Sequence, residues 1–220
     1  MNNRRKIIVI SGAVACLAAC VGDFLFTFLL GHRYPGYSQI FDVMSFLGSS
    51  DSPVSDLISF WWVILGFLIL IFAAGFRAAF EPGNNYTKLT FWLIVIYGLG
   101  EGMGSGLFKA DIINNSVSTS FLIHDILGGA GVFAILILPL AAGKVHPFSA
   151  NQSFRRFSRV VLASGTLFFI LFSLRFAGVV NVFPVKYTGL WQRLFIFDYY
   201  VYLLVIAFIM TKTAVGRSHG

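Results

Sequence analysis

The chain has 220 residues, of which 57% are hydrophobic and only 11% charged, and its mean hydropathy is +0.82. That is more apolar surface than one water-soluble core can bury, so lipid has to be part of the solvent. The formal net charge of +7 sits at the ends of apolar runs, not in a patch interleaved with aromatics, so no nucleic-acid partner is expected and the basic residues read as a topology signal.

The first apolar run, 7–30, follows Arg4, Arg5 and Lys6. It outlasts the core of a signal peptide and predicts a retained helix. Within it, Leu17-Ala18-Ala19-Cys20 has the small-residue pattern of a lipoprotein cleavage site, but the helix pattern carries on from Val21 to Leu30. Cys16 and Cys20, one helical turn apart in this run, read as packing residues because no partner loop offers a disulfide.

A polar, turn-rich connection, 31–56, comes next, punctuated by Pro35-Gly36, Gly48-Ser49-Ser50 and Ser52-Pro53. Its apolar residues Ile40, Phe41, Val43, Met44, Phe46 and Leu47 are spaced for a short amphipathic helix on the membrane surface. Its serines read as turn chemistry, since nothing marks one as a nucleophile paired with a base.

Five more runs, 57–76, 89–108, 120–140, 160–180 and 190–210, each have about the 20 residues a spanning helix needs. The expected fold is therefore an all-α bundle of about six transmembrane helices, a single transmembrane domain over 1–220. With the N-terminus inside, eleven Lys and Arg residues fall on the cytoplasmic side and five (Arg33, Lys109, Arg175, Lys186 and Arg193) on the other. That bias puts both termini in the cytoplasm of a multi-pass protein of the plasma membrane, bacterial inner membrane in type.

Acidic residues show the opposite asymmetry. Only Glu81 falls on the cytoplasmic side, and acids contribute little to orientation, so their placement asks for another reason. Asp23, Glu101, His124, Asp125, Arg175, Arg193 and Asp198 lie at similar depth near the outer ends of five spans. Ionisable groups in hydrocarbon cost on the order of 2.5–3.5 kcal/mol each, so they should face the bundle interior or an aqueous edge.

Two readings of this layer compete: a satisfied network of ion pairs joining helices, or an outward-facing polar pocket whose charges meet a ligand. A metal is not favoured, because one histidine at this depth and no H-E-x-x-H pattern make a poor ligand set. His146 and His219 sit at the cytoplasmic face and His32 in the first loop, which speaks against axial haem ligation; no cofactor is assigned. Gly-Leu-Gly-Glu-Gly-Met-Gly (98–104) is no phosphate loop, since it lacks a preceding strand and a Lys-Ser/Thr end. Its alternating glycines, with Gly106, Gly128, Gly129 and Gly131, predict close packing of the third and fourth spans, and the same small-residue faces offer a homo-oligomer contact.

Several short motifs together resemble the six-helix membrane proteins of domain-of-unknown-function family 998. They are Tyr34-Pro-Gly-Tyr-Ser38, Ser45-Phe-Leu-Gly48, Ser52-Pro53, Gly106-Leu-Phe108 with Asp111, His124 in the next span, and Gly189-Leu-Trp-Gln-Arg193. The family pattern has Phe-Pro-x-Asp where this chain reads Phe108-Lys-Ala-Asp111, and often Glu where it has Gln192. The resemblance implies a six-span fold and adds Ser45, Asp111, His124 and Arg193 as motif positions on the outer side. The family name implies no reaction.

The candidate pocket therefore comprises Asp23, Ser45, Glu101, Asp111, His124, Asp125, Arg175, Arg193 and Asp198. The expected function is binding or modification of a lipid or lipid-linked substrate, with membrane lipids as partners. The alternatives are a small proton-coupled transporter, which the nearly apolar inner halves of the spans disfavour, and a membrane scaffold whose charges are structural ion pairs.

Overall fold

The computed structural model describes residues 2–80, 84–113, 116–178 and 182–216. Glu81, Val180, Arg217 and His219, each of which entered the topology reading, lie outside the described residues. Six helices make up the bundle: α1 (Asn3–His32), α2 (Ser55–Ala79), α3 (85–107), α4 (Thr119–Ala142), α5 (Gln152–Ser173) and α6 (Thr188–Gly216). Side chains of Asn2, Asn84, Ser118 and Asn151 accept from backbone N–H groups and start α1, α3, α4 and α5.

Five of these segments are long and apolar enough to cross a membrane. The sixth, α3, is interrupted. It runs regularly over Asn85–Tyr97, widens into a π-helical turn over Gly98–Gly104 and closes with Ser105–Leu107. The expected span at 89–108 is therefore present but not uniformly α-helical. A run of alternating glycines carries no Cβ to hold the tighter winding, and single π turns of this kind recur at functional sites.

The remaining ends differ from the expected ones in one telling place. Helix α5 begins at Gln152, not near 160, because Arg155, Arg156 and Arg159 ride on its first turns instead of preceding it. It tightens into a 3-10 turn, Leu174–Ala177, and stops at Gly178, whose φ of +72° suits glycine. Arg175 thus belongs to this terminal turn. The surface amphipathic helix expected around Ile40–Leu47 is not formed: the segment makes a five-residue 3-10 turn, Met44–Gly48, with Met44 and Leu47 buried and only Phe46 exposed. Val43, Met44 and Leu47 face protein while Ile40, Phe41 and Phe46 stay exposed, so the segment docks inward along one side. Two-residue strands, Ile112–Ile113 and Ser116–Val117, pair antiparallel between α3 and α4.

Helix α2 is central, packing against α1, α3 and α6 and burying Trp61, Trp62, Leu65, Ile69, Phe72 and Phe76. Close approach comes from glycines facing glycines. A Cβ on Gly12 would lie 2.7 Å from the Cα of Gly75, and one on Gly102 would lie 2.5 Å from the Cα of Gly66. In the third helix, Gly98, Gly102 and Gly106 meet α2 while Gly100 and Gly104 meet α4. The small-residue faces are thus used for packing within the chain.

The other half of α5 stands apart. All its buried residues (Phe154, Ser158, Val161 and Gly165) lie in its first part, and none follows from 166 onward. Helix α5 is seated at one end of the bundle and loosely held at the end where the 33–54 connection lies.

Candidate functional site

That loosely held end encloses a cavity of about 280 Å³. Its polar lining comes from every helix: Asp23 of α1, Trp62 of α2, Glu101 of the π turn, His124 and Asp125 of α4, Arg175 after α5, and Tyr200 of α6. The rest is largely aromatic and aliphatic, including Phe133, Phe169, Phe172 and Phe195.

Local structure explains how the charges reach the cavity. In the π turn, one glycine face is taken by α2 and the other by α4, which leaves Glu101 between them. A Cβ on Gly128 would sit 3.1 Å from Glu101 Oε2 and 3.5 Å from Ser105 Oγ, so that glycine of α4 makes room for the carboxylate. Gly129, the next residue, lines the cavity and has nothing within 4 Å of its Cβ position. Arg175 lies over two rings, its guanidinium 3.9 Å from the centre of Phe172 and 4.5 Å from that of Phe176.

Asp23 is 2% exposed and fully engaged. Trp61 Nε1 donates to its Oδ1 at 3.1 Å and the Tyr200 hydroxyl to its Oδ2 at 2.9 Å, while the Tyr97 hydroxyl donates to Tyr200 at 3.3 Å. Gly22 leaves room for the Trp61 ring, which stacks on Phe26 at 4.3 Å. His124, 8% exposed, sets its Nδ1 2.8 Å from the carbonyl oxygen of Phe108. A carbonyl only accepts, so Nδ1 carries the proton and a neutral ring offers its Nε2 lone pair. That Nε2 has no hydrogen-bond partner among the described residues and is not sealed from solvent.

Among the described residues, the side chains of Glu101, Asp125 and Arg175 make no hydrogen bond and no ion pair within 4.0 Å. Among the described residues the one ion pair within 4.0 Å joins Lys109 to Asp56 at 3.0 Å, in an exposed position outside the cavity. No group of three His, Cys, Asp or Glu side chains among the described residues is arranged to hold a metal ion.

Six of the nine candidate residues (Asp23, Ser45, Glu101, His124, Asp125 and Arg175) line this cavity. The other three do not. Arg193 and Asp111 hold the roof. The Arg193 guanidinium donates to the carbonyl of Asp42 at 3.1 Å and to the hydroxyl of Tyr37 at 2.6 Å, and burial holds the Tyr37 phenol above its ordinary range. Gln192 accepts from Met44 N at 2.7 Å, and Leu190 N donates to the carbonyl of Ile40 at 2.9 Å. At the other end of the connection, the Asp111 carboxylate accepts from both the backbone N and the hydroxyl of Ser50 at 2.7 Å. Asp198 faces α5, where Ser164 donates to it at 2.7 Å.

Sequence reading missed Trp61, Tyr97, Tyr200 and Ser105. All four are uncharged polar side chains within or beside apolar runs. The available signal was their hydrogen-bonding capacity at a depth where a carboxylate had already been noticed.

The family described as "Protein of unknown function (DUF998)" matches residues 17–209, and the chain belongs to that family. No curated protein and no solved structure matches it.

Proposed function

We propose that this member of the DUF998 family binds a lipid or lipid-linked substrate, with its headgroup in the cavity beneath the 33–54 connection. The observation that carries this reading is the unpaired state of Glu101, Asp125 and Arg175 beside an amphipathic cavity. Each such group costs on the order of 2.5–3.5 kcal/mol to place in hydrocarbon. A scaffold would recover that cost by pairing them, and here no pair forms among the described residues. A ligand supplies the missing partners.

A proton-coupled carrier needs polar groups through the opposite half of the bundle. That half is filled by Ile69, Phe72, Phe76, Leu138, Ile206 and Met210, and the Ser158 and Tyr202 hydroxyls there are hydrogen-bonded to each other at 2.8 Å. The bias of eleven basic residues against five supports a plasma-membrane orientation with both termini cytoplasmic and the cavity in the outer leaflet.

Native mass spectrometry of the detergent-purified protein tests the reading. Wild type should carry a lipid adduct that is lost in the His124→Ala, Asp125→Ala double variant and in Gly129→Leu, which builds a side chain into the cavity from a position whose Cβ has nothing within 4 Å. A clean apo mass for wild type would sink it.

A further inference from the structure

We infer that the occupant of the cavity is a zwitterionic amine-bearing phospholipid headgroup, with the amine toward Glu101 and Asp125 and the phosphate on Arg175. This rests on the lipid-binding reading and narrows it to one headgroup chemistry.

Charge is the first ground. Three carboxylates and one guanidinium line the cavity. Asp23 is occupied by Trp61 and Tyr200, which leaves two free acids against one free cation. A purely anionic headgroup, such as a polyprenyl phosphate or phosphatidylglycerol, satisfies Arg175 and leaves Glu101 and Asp125 facing its like charge. A headgroup with an ammonium and a phosphate meets both signs, and each contact is a charge-assisted hydrogen bond. The free Nε2 of His124 accepts a further ammonium N–H.

Arg175 is suited to the phosphate end. Its guanidinium is braced on Phe172 and Phe176 and lies in the terminal turn of α5, at the bundle end where a phosphate layer would run. Glu101 sits on the π turn, which is held between α2 and α4, and His124 is buried, so the amine points inward and the phosphate outward.

Size and shape are the second ground. A cavity of about 280 Å³ is at the lower edge of the about 300–1,000 Å³ that hold whole small ligands. It takes a headgroup, and the acyl chains must leave. They have a way out between α4 and α5, where α5 has no buried residue from 166 onward, Gly129 borders open space, and Phe133 is 58% exposed. A chain leaving there runs over Phe133 and Phe169 into lipid.

The test uses delipidated full-length protein, titrated by native mass spectrometry with phosphatidylethanolamine and phosphatidylglycerol of identical acyl chains. Phosphatidylethanolamine should bind about tenfold more tightly, the worth of one good charge contact. Glu101→Gln should bring that ratio close to one by weakening phosphatidylethanolamine alone, and Arg175→Gln should weaken both lipids. Equal wild-type affinities, or a preference for phosphatidylglycerol, would overturn the headgroup assignment with no appeal to any variant. Should Gly129→Leu leave both lipids bound as in wild type, the cavity itself is not the site, and the broader reading fails with it. Competition by soluble glycerophosphoethanolamine at the concentration of the lipid would overturn the lipid and leave a soluble zwitterion as ligand.

Discussion

Asp23 and Glu101 bring carboxylates to the same cavity from two apolar helices, and their surroundings are opposite. On the wall built by α1, α2 and α6, the Asp23 oxygens accept from an indole and a phenol, and a second phenol backs the first. On the wall built by the π turn, α4 and the end of α5, the side chains of Glu101, Asp125 and Arg175 find no hydrogen-bond or ion-pair partner among the described residues. Packing follows the same division: α2 buries residues along its whole length, whereas α5 buries none beyond Gly165. A charge in a membrane helix is thus not one kind of feature. Where its hydrogen bonds are supplied from within the chain it joins helices, and where they are left open it waits for something from outside.

The sharpest way to break this division is Asp23→Ala. It leaves Trp61 Nε1 and the Tyr200 hydroxyl buried without an acceptor, at about 1–3 kcal/mol for each orphaned donor. The variant should lose roughly 2–6 kcal/mol of stability, read as a lower melting temperature in detergent, and Asp23→Asn should recover part of the loss through its remaining carbonyl oxygen. An Asp23→Ala protein that melts with wild type would mean the buried hydrogen-bonded wall contributes nothing to the fold.

The two arginines sharpen the same contrast at smaller magnitude. Arg193→Met removes the donor that ties Tyr37 and Asp42 to α6, so it should cost about 1–3 kcal/mol and expose the 33–50 segment to limited proteolysis. Arg175→Met removes a guanidinium with no ion-pair partner among the described residues, so it should lose only the ring contacts to Phe172 and Phe176, at about 0.5–1 kcal/mol. If Arg175→Met proves the more damaging of the two, Arg175 is structural after all.

These cases also mark what the sequence could say. The number of helices was readable because apolar runs of spanning length are a strong signal, and the depth of the charges followed from counting along each run. Which charges would be satisfied was not readable, since the partners of Asp23 are uncharged residues at positions 61 and 200, brought to it only by the packing of α2 and α6. The roles of Asp111 and Arg193 were hidden for a similar reason. Their motif positions and charge suggested a pocket, but only the docked connection turns them into clamps on Ser50 and on Tyr37. The widened turn at 98–104 was masked by its own composition, because alternating glycines suit an ordinary close-packed helix equally well.

A third prediction concerns Glu101→Gln in the absence of lipid. Glu101 has no hydrogen-bond or ion-pair partner to lose among the described residues, and the substitution removes a formal charge from hydrocarbon. Melting of the delipidated protein should be unchanged or raised, by up to about 2 kcal/mol against the insertion cost of a charge, while Asp23→Asn should never raise it. Destabilisation by Glu101→Gln equal to that of Asp23→Asn would erase the distinction between the two walls.

The smallest expected effect is also the most local, because it compares neighbouring glycines of α4. At Gly129 an added methyl meets nothing within 4 Å, whereas at Gly128 it lies 3.1 Å from Glu101 Oε2. Helix propensity favours alanine over glycine at both, by about 1 kcal/mol. Gly129→Ala should therefore keep most of that gain, and Gly128→Ala should lose it to the displacement of Glu101. Lipid retention should divide differently, since Gly129→Ala narrows the cavity directly and Gly128→Ala moves one of its charges. Both variants should then release lipid more readily, but only Gly128→Ala should also change which headgroup is retained. If the two melt alike, the cavity does not open along this face of α4, and the loosely held wall would have to be sought elsewhere around α5.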